Sequence, residues 1–191
     1  MQKRLEEMAL KELWQLFLIV LKPYNQQYAC WYGEMAEELK AIFDGTDDVR
    51  IYHIGSTAIP GLLAKPIVDI LMEFMPGRNL GWIKERLNAA GWLCMSESSK
   101  RLSFNWGYTL DGFAECVYHL HVQYWGDHDE LYFRDYLLAH PDTAREYGRL
   151  KQKLAGSYKH DRDGYTRRKT DFVDKYTQEG KREFAGRYED K

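Results

Sequence analysis

His53-Ile54-Gly55-Ser56-Thr57, followed across a loop by Asp69, is the segment of this 191-residue chain whose residue types and spacing can do chemistry. A glycine directly after a strand lets the backbone come close to a ligand. The serine and threonine that follow add hydroxyls beside successive backbone N–H groups, which is what a phosphate needs. The loop returns the chain to a neighbouring strand, so Asp69 can point across the cradle and hold a divalent cation against phosphate oxygens. Asp69 interrupts an apolar run, where an unpaired carboxylate is costly to bury, so a partner or a metal is expected. Gly-Ser after a strand is by itself a common turn; Lys65-Pro66 and the acid on the next strand make it a candidate site. His53 is expected to orient Asp69 or the loop.

Four basic residues could meet the phosphate: Lys65, Arg101, Arg134 and Lys169. Lys65 and Arg101 border polar sheet faces, where charge-assisted hydrogen bonds to phosphate are strongest. Arg134, within FRDYL, can equally pair with Asp135, and Lys169, within YTRRKTDF, can equally be a solvated helix charge. Trp31, Trp82, Trp92 and Trp106 fall at core-like positions rather than at base-stacking ones.

These residues need elements to hold them. Apolar positions from Leu5 to Phe17 recur at three and four, predicting a helix to about Leu16, and Phe17 to Leu21 reads as a short strand or edge segment. Asn25 can cap a helix through Phe43 that Asp44-Gly45 closes. The period then changes to two. Arg50 to Ile54 is a strand, and Pro66 to Phe74 is another, with Val68, Ile70, Met72 and Phe74 on one face and Asp69, Leu71 and Glu73 on the other. Asn79 opens a helix that Gly91 ends.

A hairpin follows around Asp111-Gly112. Leu102, Phe104, Trp106 and Tyr108 oppose Arg101, Ser103, Asn105 and Thr109; Cys116, Tyr118, Leu120 and Val122 oppose Glu115, His119, His121 and Gln123. Its polar face is either solvated or a site. Three helices then start at Asp129, Asp142 and Asp163, and the tail from Gly180 is expected to fray. The layout is α+β: a mixed or antiparallel sheet of four to five strands, helices on one face and a C-terminal helical flank. One domain is expected, with residues 17–125 as the sheet core, 126–180 as the flank and 181–191 as the tail.

Composition narrows the partners. A net charge of -2, with 29% charged residues, argues against a dedicated nucleic-acid or anionic-membrane binder. No apolar run approaches the ~20 residues that span a bilayer. Three widely spaced cysteines without CxxC fit reduced thiols, chiefly small core residues, in a cytoplasmic protein, monomer or homodimer.

The segment YHIGSTAIPGLLAKPIVDILMEF strongly resembles the GrpB family, a branch of the DNA polymerase beta type nucleotidyltransferase superfamily. The likeness continues through SFNWGYTLDGFAECVYHLHV, DELYFRDYLLAHPDTAREY and DRDGYTRRKTDFVDKY, nearly the whole chain. It implies a nucleotidyltransferase (polymerase beta-like) fold in which Gly55 and Ser56 contact a triphosphate and Asp69 is a metal-binding acid. The superfamily places a second acid two residues after the first, and here that position is Leu71. Glu73 shares the face but lies about 13 Å along the strand from Asp69, too far to chelate the same ion. The family's His-Leu-His segment offers His119 and His121 as substitutes. With Asp69 they would form a carboxylate and imidazole set favouring Zn²⁺, Mn²⁺ or Fe²⁺ over Mg²⁺. The alternative is that both histidines hydrogen-bond Ser103, Asn105 or Glu115 across the hairpin.

Three readings follow. In the first, a divalent-metal-dependent enzyme (Mg, Mn or Zn) transfers a nucleotidyl or phosphoryl group from a nucleoside triphosphate to a small acceptor, with Asp69 and Ser56 as catalytic residues. In the second, the fold is a catalytically degenerate module that binds a nucleotide or another phosphorylated small molecule, as Leu71 favours. In the third, the same ligands hydrolyse a phosphorylated small molecule with water.

Overall fold

The run from Val68 to Phe74 is apolar on both faces apart from its two acids, and such a strand belongs in the middle of a sheet. The structure, a computed structural model, describes residues 17–46, 48–158 and 160–189. The helix expected over residues 5–16 lies outside them. The sheet has five strands: β1 (Val49–Ile54), β2 (Val68–Phe74), β3 (Leu93–Glu97), β4 (Arg101–Thr109) and β5 (Gly112–Tyr124). Their order is β1-β2-β5-β4-β3. β2 pairs antiparallel with β1 and parallel with β5; the other pairs are antiparallel. The expected α+β architecture with a mixed sheet is present.

One sheet face carries the main core. Val68, Ile70, Met72 and Phe74 of β2 join Leu102 and Phe104 of β4 and Leu120 and Val122 of β5, all buried. Against them pack α1 (Gln27–Ile42), through Met35 and Leu39, and α2 (Leu80–Ala89), through Ile83 and Leu87. Both helices begin on local polar signals: Asn25 Oδ1 accepts from Gln27 N at 3.0 Å, and Asn79 Oδ1 from Gly81 N at 2.8 Å. The other face is covered in part by α3 (Asp129–Ala139), whose Leu131 packs with Ile54 and Leu71. Behind α3 lie α4 (Pro141–Ser157), α5 (Arg162–Arg167) and α6 (Thr170–Glu183). No helix of the described residues is long and apolar enough to cross a membrane.

Several local expectations change. Residues 17–21 form no strand; the pairing there is a bridge between Lys22 and Ala64. Their aliphatic character serves packing instead, with Phe17 against Tyr108 and Phe113 and Ile19 beside Leu154 and Tyr165. The fifth strand is β3, an edge strand with three of its five residues exposed and a register shift between Cys94 and Ser96, so it carries no period-two signal. Asp127, rather than Asp129, supplies the side chain at the start of α3, accepting from Asp129 N at 3.3 Å. The last expected helix is two: Asp161 caps α5 through Gly164 N at 2.8 Å, and the chain breaks at Arg168 and Lys169 before α6. Past Gly180 the chain stays tethered, because Arg187 and Tyr188 both bond Asp135. Cys30 and Trp106 are exposed rather than in the core.

Candidate active site

Gly55 leaves β1 with φ +70°, and a Cβ built there would overlap Asp69 Oδ2. Only glycine adopts that backbone cheaply and leaves room for the carboxylate. The pairing of Ile54 with Asp69 across β1 and β2 sets this juxtaposition. Ser56 then opens a short 3-10 turn, Ser56–Ala58. Thr57 is buried and pins the loop: its hydroxyl donates to Ile67 O at 3.2 Å and accepts from His53 Nε2 at 3.0 Å. The Thr57 side chain therefore holds the cradle and does not line it. His53 stacks on Tyr32 with centroids 4.7 Å apart. Burial, aided by the Arg134 charge, lowers its pKa to about 4, so it acts on the loop as a neutral imidazole.

Asp69 is bound at 3.2 Å by His119 Nδ1, and His119 Nε2 meets Tyr108 OH at 2.8 Å. Tyr108 reaches the site because Gly107, at φ +84°, lies at a register shift between β4 and β5 and turns the chain off the apolar face that strict alternation assigns to Tyr108. Burial alone would raise the Asp69 pKa. The His119 hydrogen bond and the charges of His119, His121 and Lys65 outweigh it and bring the group to about 2. His121 stands beside Leu71 in register; desolvation, with Arg101 and His119 adding to it, lowers its pKa against the pull of Asp69.

The two remaining side chains on that face of β2 are not ligands. Leu71 is fully buried between Ile54 and Leu131, where an acid would have no water. Glu73 is also fully buried, accepts from Gln123 Nε2 at 3.2 Å and has His128 Nε2 at 3.6 Å; burial pushes its pKa to about 7.

Above Asp69 the sheet and the C-terminal helices enclose a cleft of about 620 Å³. Gly55, Ser56, Lys65, Arg101, His119, His121 and Lys169 all line it, so most of the candidate residues meet in one place. Lys65 and Lys169 flank the ring of Tyr165, at 5.8 and 4.6 Å from its centroid. Arg101 pairs with Glu130 on the opposite wall. Arg134 is not in the lining: its guanidinium is spent on Asp135 at 2.7 Å, His53 O at 2.9 Å and Tyr188 OH at 3.0 Å, which braces the loop from behind.

A metal has to fit this donor set. Among the described residues no three His, Cys, Asp or Glu side chains are grouped to hold an ion. Both ring nitrogens of His119 are engaged, one with Asp69 and one with Tyr108. Asp69 and His121 line the same cleft, so an ion held there would take most of its ligands from phosphate oxygens and water, and the imidazole would favour Mn²⁺ or Zn²⁺ over Mg²⁺.

The GrpB protein family model matches residues 18–179. The chain belongs to the GrpB family. The UPF0157 protein YqkA of Bacillus subtilis is 33% identical over 170 residues, covering 86% of this chain and 48% of YqkA. The glutamate-rich protein GrpB of Alkalihalophilus pseudofirmus is 36% identical over 170 residues, covering 84% of this chain and 95% of that protein. The chain thus spans about half of YqkA and nearly all of the second relative. Among solved structures, the conserved protein GrpB from Enterococcus faecalis aligns with TM-score 0.74 at 27% identity, over 86% of this chain and 99% of its own. None of these names states an activity.

One cleft residue of this GrpB chain escaped the sequence reading. Lys151 of α4 is buried, and its Nζ donates to Ser56 Oγ at 2.8 Å and to Leu63 O. The available signal was its place on the apolar stripe, between Tyr147 and Leu154 at helical spacing, where a lysine is out of pattern.

Proposed function

We propose that this GrpB chain binds a nucleoside triphosphate, or a phosphorylated small molecule of that kind, with a divalent cation, and transfers a nucleotidyl or phosphoryl group to a small acceptor. The observation that carries the reading is the approach of Gly55 to Asp69, which sets a phosphate-binding turn against a carboxylate held ionised down to about pH 2. Lys65, Lys169 and Arg101 add positive charge around the same cleft. The family's resemblance to polymerase beta type nucleotidyltransferases points the same way.

Asp69, with His121, would hold the cation, which when bound neutralises phosphate charge and orients its oxygens. The chain's own contribution is positioning: the turn after Gly55 and the Ser56 hydroxyl seat the phosphate, His53 and Arg134 keep that turn in place, and the C-terminal helices narrow access. Three free cysteines go with a reducing, cytoplasmic setting.

A second reading, binding without turnover, draws on Leu71, since the strand position for a second acid is filled by core packing. Calorimetry with MgATP and MnATP distinguishes them in steps. Asp69→Asn should fold normally and weaken cation-dependent nucleotide binding by about tenfold to a hundredfold. Unchanged affinity in that variant would overturn both. Tight binding with no product by mass spectrometry supports the module; release of pyrophosphate supports nucleotidyl transfer, and release of free phosphate in water supports hydrolysis.

A further inference from the structure

Lys151 is the least expected group in the molecule: a lysine with its whole side chain inside, 2% exposed, at the floor of the cleft. Two neutral oxygens, Ser56 Oγ and Leu63 O, accept from its Nζ, and two N–H groups are what a neutral amine owns. The charged and titratable groups facing it come from four places. Lys65 approaches from the loop before β2, Lys169 from the junction of α5 and α6, Asp69 from β2, and Tyr147 from its own helix with the ring centroid 4.7 Å away. The one anion among these is already bound to His119. Burial and the two neighbouring ammonium groups lower the Lys151 pKa to about 7.

Such a group is stable as an amine while no anionic ligand lies against it. A phosphate group carrying two charges, arriving between Lys65, Lys169 and the Ser56 hydroxyl, reverses the local field and gives a third N–H an oxygen to reach. We infer that Lys151 receives the distal phosphate of a polyphosphate ligand and takes one proton from solvent as it does so, making this a proton-coupled site for di- or triphosphates. The inference rests on the phosphate-binding reading of the cleft and adds to it a residue, a charge requirement and a linked proton. No covalent bond changes; the proton comes from water or buffer and returns there when the ligand leaves.

The sign follows from linkage. Above the pKa of the free amine, each ligand bound costs a proton drawn from solution, so affinity falls as pH rises from about 7 toward the pKa of the complex, by up to about tenfold per pH unit. Below pH 7 the affinity is flat with respect to this group.

Two measurements test it. In the ligand-free protein, NMR of the lysine Nζ and Cε, with Lys151 assigned by its loss in Lys151→Arg, should show titration in the neutral range; titration near the ordinary lysine value overturns the inference whatever the ligand does. At pH 8, calorimetry with pyrophosphate and with MgATP in buffers of different ionisation enthalpy should show uptake approaching about one proton in the wild-type protein and none in Lys151→Arg, whose guanidinium is always charged. Lys151→Met should stay folded and lose affinity for both probes. Binding without proton uptake overturns the inference and leaves the phosphate reading standing; no binding of either probe overturns both.

Discussion

Two carboxylates sit four residues apart on the same face of β2, and the molecule treats them in opposite ways. Asp69 is driven down to about 2 and Glu73 up to about 7. Burial raises both, so burial is not the difference. Around Asp69 stand two imidazoles and Lys65, one imidazole donating directly. Around Glu73 stand a neutral amide, the His128 ring at 3.6 Å and two further acids, Glu130 and Asp127, and the Gln123 hydrogen bond and the Arg50 charge do not outweigh burial. The neighbours decide which acid is a permanent anion facing the cleft and which is a protonatable strut inside the fold. Leu71, between them, closes the dry layer that keeps the two environments apart.

The harshest way to break that contrast is to install the missing acid. Leu71→Asp places a carboxyl between Ile54 and Leu131 and should cost on the order of 4 kcal/mol, read as a large drop in Tm with no gain in metal affinity. Recovery of a tight two-ion site in a stably folded variant would show that the layer is not as closed as its packing implies. Gly55→Ala strikes the other end: a Cβ at φ +70° that overlaps Asp69 Oδ2 should cost roughly 2–3 kcal/mol and abolish nucleotide binding.

Glu73 offers a test in pH. Its pKa is higher folded than in the unfolded chain, so between about 4.5 and 7 the native state holds the extra proton. Stability from this group is full below that window and is lost as pH rises through it, by about 1–3 kcal/mol in total. Glu73→Gln should flatten the dependence, and denaturant titrations at pH 5 and pH 8 would measure it; an unchanged slope would mean that His128 already neutralises the carboxylate. Smallest of all, Tyr108→Phe removes the hydroxyl behind His119, for an expected loss of about 0.5–1.5 kcal/mol and a slight rise in the Asp69 pKa.

The parts of this site that could be read in advance were local in the chain. Gly55, Ser56 and Asp69 announce themselves because a turn residue after a strand and an acid inside an apolar run are improbable unless they do something. His119 and His121 were placed on one face by period-two counting, and β5 keeps that period through both. Counting failed where the backbone leaves the ladder: the register shift at Gly107 moved Tyr108 to the opposite face, and the irregular edge strand β3 went unread while an aliphatic packing segment at residues 17–21 took its place. Arg134 and Lys151 show a different limit. Each is a basic residue on a helix, yet one is consumed behind the loop and the other is drawn to the floor of the cleft, through contacts 81 and 95 residues away in sequence.

By itself, then, the order of amino acids determined most of the element types, the Gly55-Ser56 turn and the acid opposite it, because backbone conformation and periodicity depend on near neighbours. Which acid is ionised, which lysine is buried and which arginine is withdrawn were decided only when α3 to α6 folded over the sheet. Electrostatic environment is a property of distances in space, and those distances join residues that the chain keeps far apart.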